Sequence, residues 1–550
     1  MKSKILFIFL FIAAFFVDVK ADHLIGGEIV WECMPGGQYR FTLTLYRDCT
    51  GIPLGALTQT LNTNSGASII CTKIATNYIN KECGALPCSS LPAGYIGGIE
   101  QHVYRSGLIT LNGTPPTSGW YFSWSSCCRP NVVTNLQNPK TQGYVLRAWM
   151  YPYTPPGAST PLSANPCYDN SPSFLEAPDV AVCSGFDAEY LSLGYDVELD
   201  SLYYDWAQPK SGGVPPLWNN VTWLPASTYN FNTPLPGPSQ NGSNVPAVLN
   251  GELGKINFKS FTTGSFTTCI KISEYRYGQL IGEVFRDIPI FIKNCTPPAG
   301  LCGGAVNNAP SLSFGWYPGY DTLTPVYQNG KIAYYEMTVD VKTEIKFKMT
   351  AQDVDLQPNC LPQEISFVGL GGNLSPAPNY NNSGNCLLQA PCATIAPVSP
   401  QTGFVSSLNN DVEFNWQTTC EHLTYQSYLG GNAKNTYDFF FRFQDNACPL
   451  PAVSYATVKI TVLNKEPLPP DLSNSCVSYL PNGDVEIDWA PPSDTGVNFD
   501  YYKIYRSNNG GAFSAIDSVN DFSLNSYIDL AAPTGINQYF LRTYGGCSLV

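Results

Sequence analysis

The sequence predicts an all-β chain built from serial sandwich-type modules, and three observations predict it. Charged residues make up only 13% of the 550, aromatics another 13%, and the chain holds 34 Tyr, 47 Gly and 45 Pro. That mixture favours pleated strands joined by tight turns over helices. No apolar repeat of 3.6 residues is sustained beyond the N-terminal leader. Finally, one acidic phrase occurs twice. Gly194-Tyr-Asp-Val-Glu-Leu-Asp-Ser-Leu202 returns about 155 residues later as Thr350-Ala-Gln-Asp-Val-Asp-Leu356. Each copy lies between apolar runs, and a strand-like segment closes each unit: Asp287 to Lys293, then Ala456 to Leu463. A chain of this length is expected to hold three to five domains.

The leader comes first. Lys2 and Lys4 precede the apolar run Ile5 to Val17, and Val19-Lys-Ala21 fits a small-x-small cleavage rule, so residues 1–21 read as a secretory signal peptide. Thirteen apolar residues are too few to span a bilayer, and no later stretch is long and apolar enough. All 19 Cys lie beyond the leader, which makes disulfides the expected state of an exported chain. The odd number leaves at least one Cys without an internal partner. Cleavage removes three Lys and one Asp, taking the formal charge from −13 to −15. So acidic a protein argues against nucleic acid or anionic lipid as partners and is compatible with divalent cations, although acidity also simply keeps an exported protein soluble.

Four domains follow. Residues 22–155 form a Cys-rich sandwich that opens with Ile29-Val-Trp31 and the alternating run Tyr39 to Tyr46; Trp120 to Trp124 and Tyr144 to Trp149 are later strands. The Pro-rich stretch Tyr153 to Pro161 reads as a linker. The next domain, 165–296, has a loop-heavy middle from Gly212 to Asn250 and ends on two strands. In the third, 311–464, Tyr334 to Val341 pairs with Glu344 to Thr350, and Val412 to Trp416 and Tyr437 to Phe443 are strands. The fourth, 471–550, carries strands around Trp489, Tyr501 to Arg506, and Asn537 to Tyr544.

The order of these last strands resembles a fibronectin type III module. Such a sandwich needs another strand after Tyr544, and six residues cannot supply it. The module is therefore expected to be incomplete and the chain to be the N-terminal piece of a longer protein. Residues 22–295 resemble the N-terminal region of large Bacteroidetes proteins labelled gliding-motility-associated and exported by type IX secretion. The matching stretches are His23-Leu-Ile-Gly-Gly-Glu28, Leu45-Tyr-Arg-Asp-Cys49, Cys127-Cys-Arg-Pro130, Ser171-Pro-Ser-Phe174, Asp196 to Asp200, and Ile281 to Asp287. Domain three is similar to a cadherin- or immunoglobulin-like module through Asp353, Asp355 and Asp445-Asn-Ala-Cys-Pro449. The resemblance implies tandem immunoglobulin-like/cadherin-like sandwiches on a cell-surface or secreted protein, with the type IX machinery as export partner.

Candidate sites are few. The three His (His23, His102, His422) show no metal-ligand spacing, and no nucleophile elbow, phosphate loop or dinucleotide fingerprint occurs. His422 follows Cys420, a weak nucleophile pair in a disulfide-rich chain. Calcium is the candidate ion. Asp196, Glu198 and Asp200, and again Asp353 and Asp355, are spaced two apart, and closely spaced carboxylates on a turn supply the oxygens that calcium takes. In cadherin-type modules such Asp pairs sit near junctions, where the ion stiffens the rod. The same residues serve equally as turn caps. Adjacent Cys127 and Cys128 on a strand point to opposite faces and are expected to bond two different partners, with a vicinal redox disulfide as the alternative. Cys476 and Cys547, alone in domain four, are the candidate pair. Trp206, Trp218 and Trp223 could line a glycan surface or pack a core. The sequence thus points to a non-catalytic, adhesin-like or structural exported protein whose surface or glycan ligand is unknown. The alternative is an accessory region of a larger secreted enzyme with its catalytic domain beyond residue 550.

Overall fold

The computed structural model describes residues 24–547 except 50–52, 80–87, 91–97, 179–180, 225–228, 296–306, 358, 372, 377–379, 381–385, 387, 424–433, 466, 491 and 493–497. The expected signal peptide, His23, Cys83 and Cys302 lie outside those residues. The described chain is strand and loop, with no α-helix among the described residues, and it divides into two compact units. One contains 1–308 with 355–361 and 446–452; the other contains 309–354, 362–445 and 453–550.

The strands of the first unit are β1 (Leu24–Met34), β2 (Gln38–Asp48), β3 (Thr58–Thr63), β4 (Ile69–Ile79), β5 (Ile99–Ser106), β6 (Trp120–Ser126) and β7 (Tyr144–Met150). Then come β8 (Ser173–Phe174), β9 (Ala181–Cys183), β10 (Asp187–Leu191), β11 (Gly194–Tyr195), β12 (Ser201–Trp206), β13 (Lys210–Val214), β14 (Leu217–Asn220), β15 (Val245–Leu249), β16 (Lys255–Lys259), β17 (Gly264–Arg276) and β18 (Gln279–Lys293). The main sheet runs β1-β2-β5-β4-β3-β6-β7-β18-β17-β12, and β1 also pairs with β18, which closes the first eight strands into a ring. Alternation puts Tyr39, Phe41, Leu43 and Leu45 of β2 on the inner face, where Phe41 and Phe122 meet at 4.6 Å between ring centroids. A second core lies against the β17–β18 hairpin: Ile270, Ile272, Ile288 and Ile290 are covered by Tyr190 of β10 and Ile256 and Phe258 of β16.

Ring closure depends on two glycines. Gly27 pairs with Asp287, and a Cβ on Gly26 (φ 158°) would lie 1.9 Å from the Asp287 carbonyl oxygen. A Cβ on Gly27 would lie 2.2 Å from the Thr44 carbonyl oxygen. Only hydrogen fits in either place.

The expected boundary between 22–155 and 165–296 is corrected by this topology. β18 pairs along its length with β17, with β7 through Gly282 to Val284, with β9 through Phe291 to Lys293, and with β1. Both spans contribute strands to one sheet. The Pro-rich stretch is accordingly a strap on that unit, held where Leu162 N–H donates to Tyr153 O (2.8 Å) and the Gln279 amide donates to Thr154 O (2.7 Å). Composition marks a segment as irregular but says nothing about whether the strands on either side of it pair.

In the second unit a four-stranded sheet (Ser311–Ser313, Glu344–Gln352, Asn409–Gln417, Thr394–Pro397) accompanies a six-stranded one (Thr324–Gln328, Lys331–Asp340, Val453–Leu463, Lys434–Gln444, Glu364–Gly371, Val405–Ser407). Phe347 and Phe414 of the first meet Phe441 of the second. Beyond them a sheet of Asp471–Tyr479, Val485–Ala490 and Ser526–Asp529 accompanies one of Ser514–Val519, Phe499–Asn508 and Asn537–Gly545, around Trp489, Tyr502 and Ile504. The predicted all-β class is what the chain forms; paired sheets of the sandwich type make up the second unit, while the first unit closes eight strands into a ring where two sandwiches were expected.

Disulfides join Cys33 to Cys167, Cys49 to Cys88, Cys127 to Cys128, Cys183 to Cys295, Cys386 to Cys392 and Cys420 to Cys547. Two expectations are corrected. Cys127 and Cys128 bond each other, and Cys547 bonds Cys420 instead of Cys476, which is free and exposed. The reason for the second is local. Asn464 accepts from Cys547 N–H (2.8 Å) and donates to Cys547 O (3.1 Å), fixing that thiol against the preceding sandwich.

Burial pushes the free thiols of Cys71 and Cys269 up to about 12, so neither ionises near neutrality. Iodoacetamide on the native protein is expected to label Cys476 and spare Cys71 and Cys269, and a non-reducing peptide map to recover Cys420 with Cys547. A Cys476–Cys547 peptide would refute the pairing. Gly26→Ala is expected to destabilise the first unit by roughly 3 kcal/mol or more, read from its urea midpoint.

Candidate functional site

The structure gathers one of the two predicted acidic clusters into a buried constellation. Asp196, Glu198 and Asp200 lie on the turn between β11 and β12, where Asp200 N–H donates to Asp196 Oδ1 at 2.8 Å and Leu199 takes φ 63°. Two residues that the sequence reading missed join them. Asp169 comes from the connector after the strap, two positions past the Cys33–Cys167 disulfide, and Glu274 from near the end of β17. One ligand oxygen from each of Asp169, Asp200 and Glu274 lies within 4.8 Å of the others.

Arg276 is the cation that faces them. Its Nε donates to Asp200 (2.8 Å), its Nη2 to Asp169 Oδ1 (2.8 Å) and its Nη1 to Tyr168 O (2.9 Å), and its guanidinium lies 5.2 Å from the Tyr153 ring centre. Burial alone would lower its pKa; the bonds to Asp200 and the charges of Asp169, Asp200 and Glu198 overrule that and raise it. Asn170 N–H donates to Glu198 Oε1 at 3.2 Å.

These bonds leave much unmet. Asp169 and Glu274 are each 0% exposed. Asp169 Oδ2, Asp196 Oδ2, Glu198 Oε2 and both carboxyl oxygens of Glu274 are buried with no hydrogen-bond donor facing them. Asp169 and Glu274 abut, so one proton shared between them is the most the protein alone can offer there. Loss of water, and then repulsion from the neighbouring carboxylates, drive Glu274 and Asp196 well above the usual carboxylate range. Asp169 rises for the same first reason despite Arg276, and Glu198 rises too. A Cβ on Gly282, across the hairpin, would come within 2.4 Å of Glu274 Oε2, so that glycine makes the room.

A signal for Glu274 existed in the sequence. Phe266, Thr268, Ile270, Ile272, Glu274 and Arg276 alternate along one strand, and their shared face is the second core. A carboxylate at a core position of an alternating strand is the anomaly that marks a site.

The second predicted cluster does not repeat this arrangement. Asp353 and Asp355 fall in different compact units. Asp353 is buried, with its N–H donating to Leu408 O, and Asp355 accepts from Asn308 N–H at 2.6 Å. The glycan surface suggested for Trp206, Trp218 and Trp223 is not formed either. Trp218 is buried and meets Tyr121 and Trp149 edge-on at 5.7 and 5.5 Å, while Trp206 and Trp223 pack, half-buried, against the second core. Cys420 is disulfide-bonded and supplies no thiolate to His422.

No family model matches the chain, and no curated protein matches it. Among solved structures, the chicken CNTN1 FN1–FN3 domains match over 69% of this chain and 94% of that one at 9% identity, with a TM-score of 0.15. A superposition that poor carries no argument.

The two described histidines are internal. His102 bonds Glu100 at 2.7 Å, and His422, fully buried, accepts Thr419 N–H at 2.8 Å and faces the carbonyls of Gln389 and Pro391. Desolvation lowers both below the ordinary value. A folded-state histidine pKa below the unfolded one means that the unfolded chain takes protons first. The contribution to stability is therefore complete above about pH 6.5 and lost as pH falls toward the folded value. His422→Gln is expected to remove part of the fall in Tm between about pH 6.5 and pH 5; equal slopes in both proteins would contradict this.

Proposed function

We propose that this chain is a non-catalytic, exported surface protein that acts by adhesion or as a structural spacer, linked to gliding motility or surface attachment and delivered by type IX secretion. The observation that supports it most is the distribution of disulfides. They occur in both compact units, and Cys420–Cys547 pins consecutive sandwiches of the second together. Such bonds persist only where the surroundings are oxidising. Closing a loop across a sequence separation of 127 limits the unfolded chain by roughly 5 kcal/mol in the chain-entropy model. A chain so stapled suits a load-bearing position outside the cell. The signal-like leader, and the matching stretches from His23 to Asp287, point the same way. Among the described residues no helix is long and apolar enough to cross a membrane.

The test is made on the producing cells. N-terminal sequencing of the mature protein is expected to begin at Asp22, and protease added to intact cells is expected to remove it. Deleting the gene is then expected to reduce attachment or gliding with growth unchanged. A chain that keeps residues 1–21 and resists external protease would overturn the reading.

A further inference from the structure

We propose that Asp169, Asp196, Glu198, Asp200 and Glu274 form a binding site for a calcium-class divalent cation, which locks the 168–170 connector and the 196–200 turn onto β17. The inference is independent of the export reading. It begins with charge: among the described residues Arg276 is the cation bonded to this group of five carboxylates, and its ion pairs are with Asp169 and Asp200. Carboxylates withdrawn from water require a counter-charge or a proton each. Arg276 spends its donors on Asp200, one oxygen of Asp169 and the Tyr168 carbonyl. Glu274 receives none, although it is 0% exposed and both of its oxygens turn inward.

The donor set then selects the ion. Every candidate ligand is a carboxylate oxygen, with no imidazole nitrogen or thiolate sulfur among them, which favours hard cations over zinc or copper. One oxygen each of Asp169, Asp200 and Glu274 lies within 4.8 Å of the others, and the donor-less oxygens of Glu274 and of Asp196 and Glu198 on the adjoining turn add to the all-oxygen surroundings that calcium takes. Magnesium takes six at short, regular distances and retains water, which suits a site of one or two carboxylates better than this one.

An ion here would close a long chain circuit. Asp169 follows the strap and the Cys33–Cys167 disulfide, Asp196 to Asp200 follow β11, and Glu274 lies on the hairpin that completes the ring. The site therefore ties the connector between the two spans of the first unit to the strands on which both depend.

The experiment uses the full chain, stripped with chelator at about pH 7.5 and scanned for Tm with calcium chloride, magnesium chloride or chelator, alongside calorimetric titration with calcium chloride. Calcium is expected to raise the Tm of the first unit by about 4 °C at a hundredfold excess over its dissociation constant. Glu274→Gln and Asp169→Asn should abolish that rise, and Glu274→Gln should melt higher than wild type in chelator, because it replaces a buried carboxyl that no donor faces. Asp355→Asn should keep the rise. No shift and no binding heat in the wild type would overturn the proposal, as would a rise of equal size in Glu274→Gln, or a response to magnesium without calcium. Should Glu274→Gln fail to fold, Asp169→Asn and the wild-type titration still decide.

Discussion

The β17–β18 hairpin is the element on which the first unit depends. Its strands pair with each other from Gly264–Ile292 to Arg276–Gln279. β18 completes the ring through β1 and β7, and β17 carries β12 at the other edge. One face of the hairpin forms the floor of the second core. Its end carries Glu274 and Arg276 of the acidic site. Few insertions or slips are tolerable in such a strand, because a one-residue shift would exchange its faces along the whole length.

Burying that hairpin buries charge as well. Arg286, 1% exposed, bonds Glu28 at 3.3 Å and the hydroxyl of Tyr46 at 3.2 Å; Arg129, 0% exposed, bonds Asp287 at 2.7 Å. Tyr46 in turn donates to Glu28 at 2.6 Å. Desolvation raises Glu28 while Arg286 opposes the rise. In these two networks every charge has its opposite, and removing one partner would cost about 3–5 kcal/mol by stranding the other. The cluster around Glu274 differs in kind, since among the described residues Arg276 is the cation bonded to a group of five carboxylates. Evenly matched charges read as architecture, and the imbalance reads as a place for a ligand.

Disulfides and packing divide the remaining work. Within the second unit the aromatic core from Phe347 to Phe441 holds one sandwich, and a smaller cluster around Trp489 holds the next. The smaller core is joined to the larger one by Cys420–Cys547, by the Asn464 bonds to Cys547, and by Lys342 with Asp500 at 2.7 Å. The last pair is exposed and contributes little. The covalent bond and the buried Asn464 contacts carry the junction.

Strand identity was legible in the sequence because it is a local property. The alternation of Tyr39 to Tyr46, of Tyr437 to Phe443 and of Tyr501 to Arg506 says which side chains share a face without reference to anything distant. The Asp196–Glu198–Asp200 turn was likewise visible as a spacing, and with it three of the five carboxylates of the acidic site. Pairing was not legible. Gly27 finds Asp287 across some 260 residues, Asp169 and Glu274 meet across about a hundred, and Cys547 bonds Cys420 with Cys476 nearer in sequence. What the sequence alone determined was the β class, the turns and the candidate carboxylates, since backbone geometry and side-chain polarity act over a few residues. Only the tertiary structure decided that two apparent domains share one sheet and that Asp169 and Glu274 join Asp200 in one cluster. Sheet partners are selected by the joint burial of faces far apart along the chain.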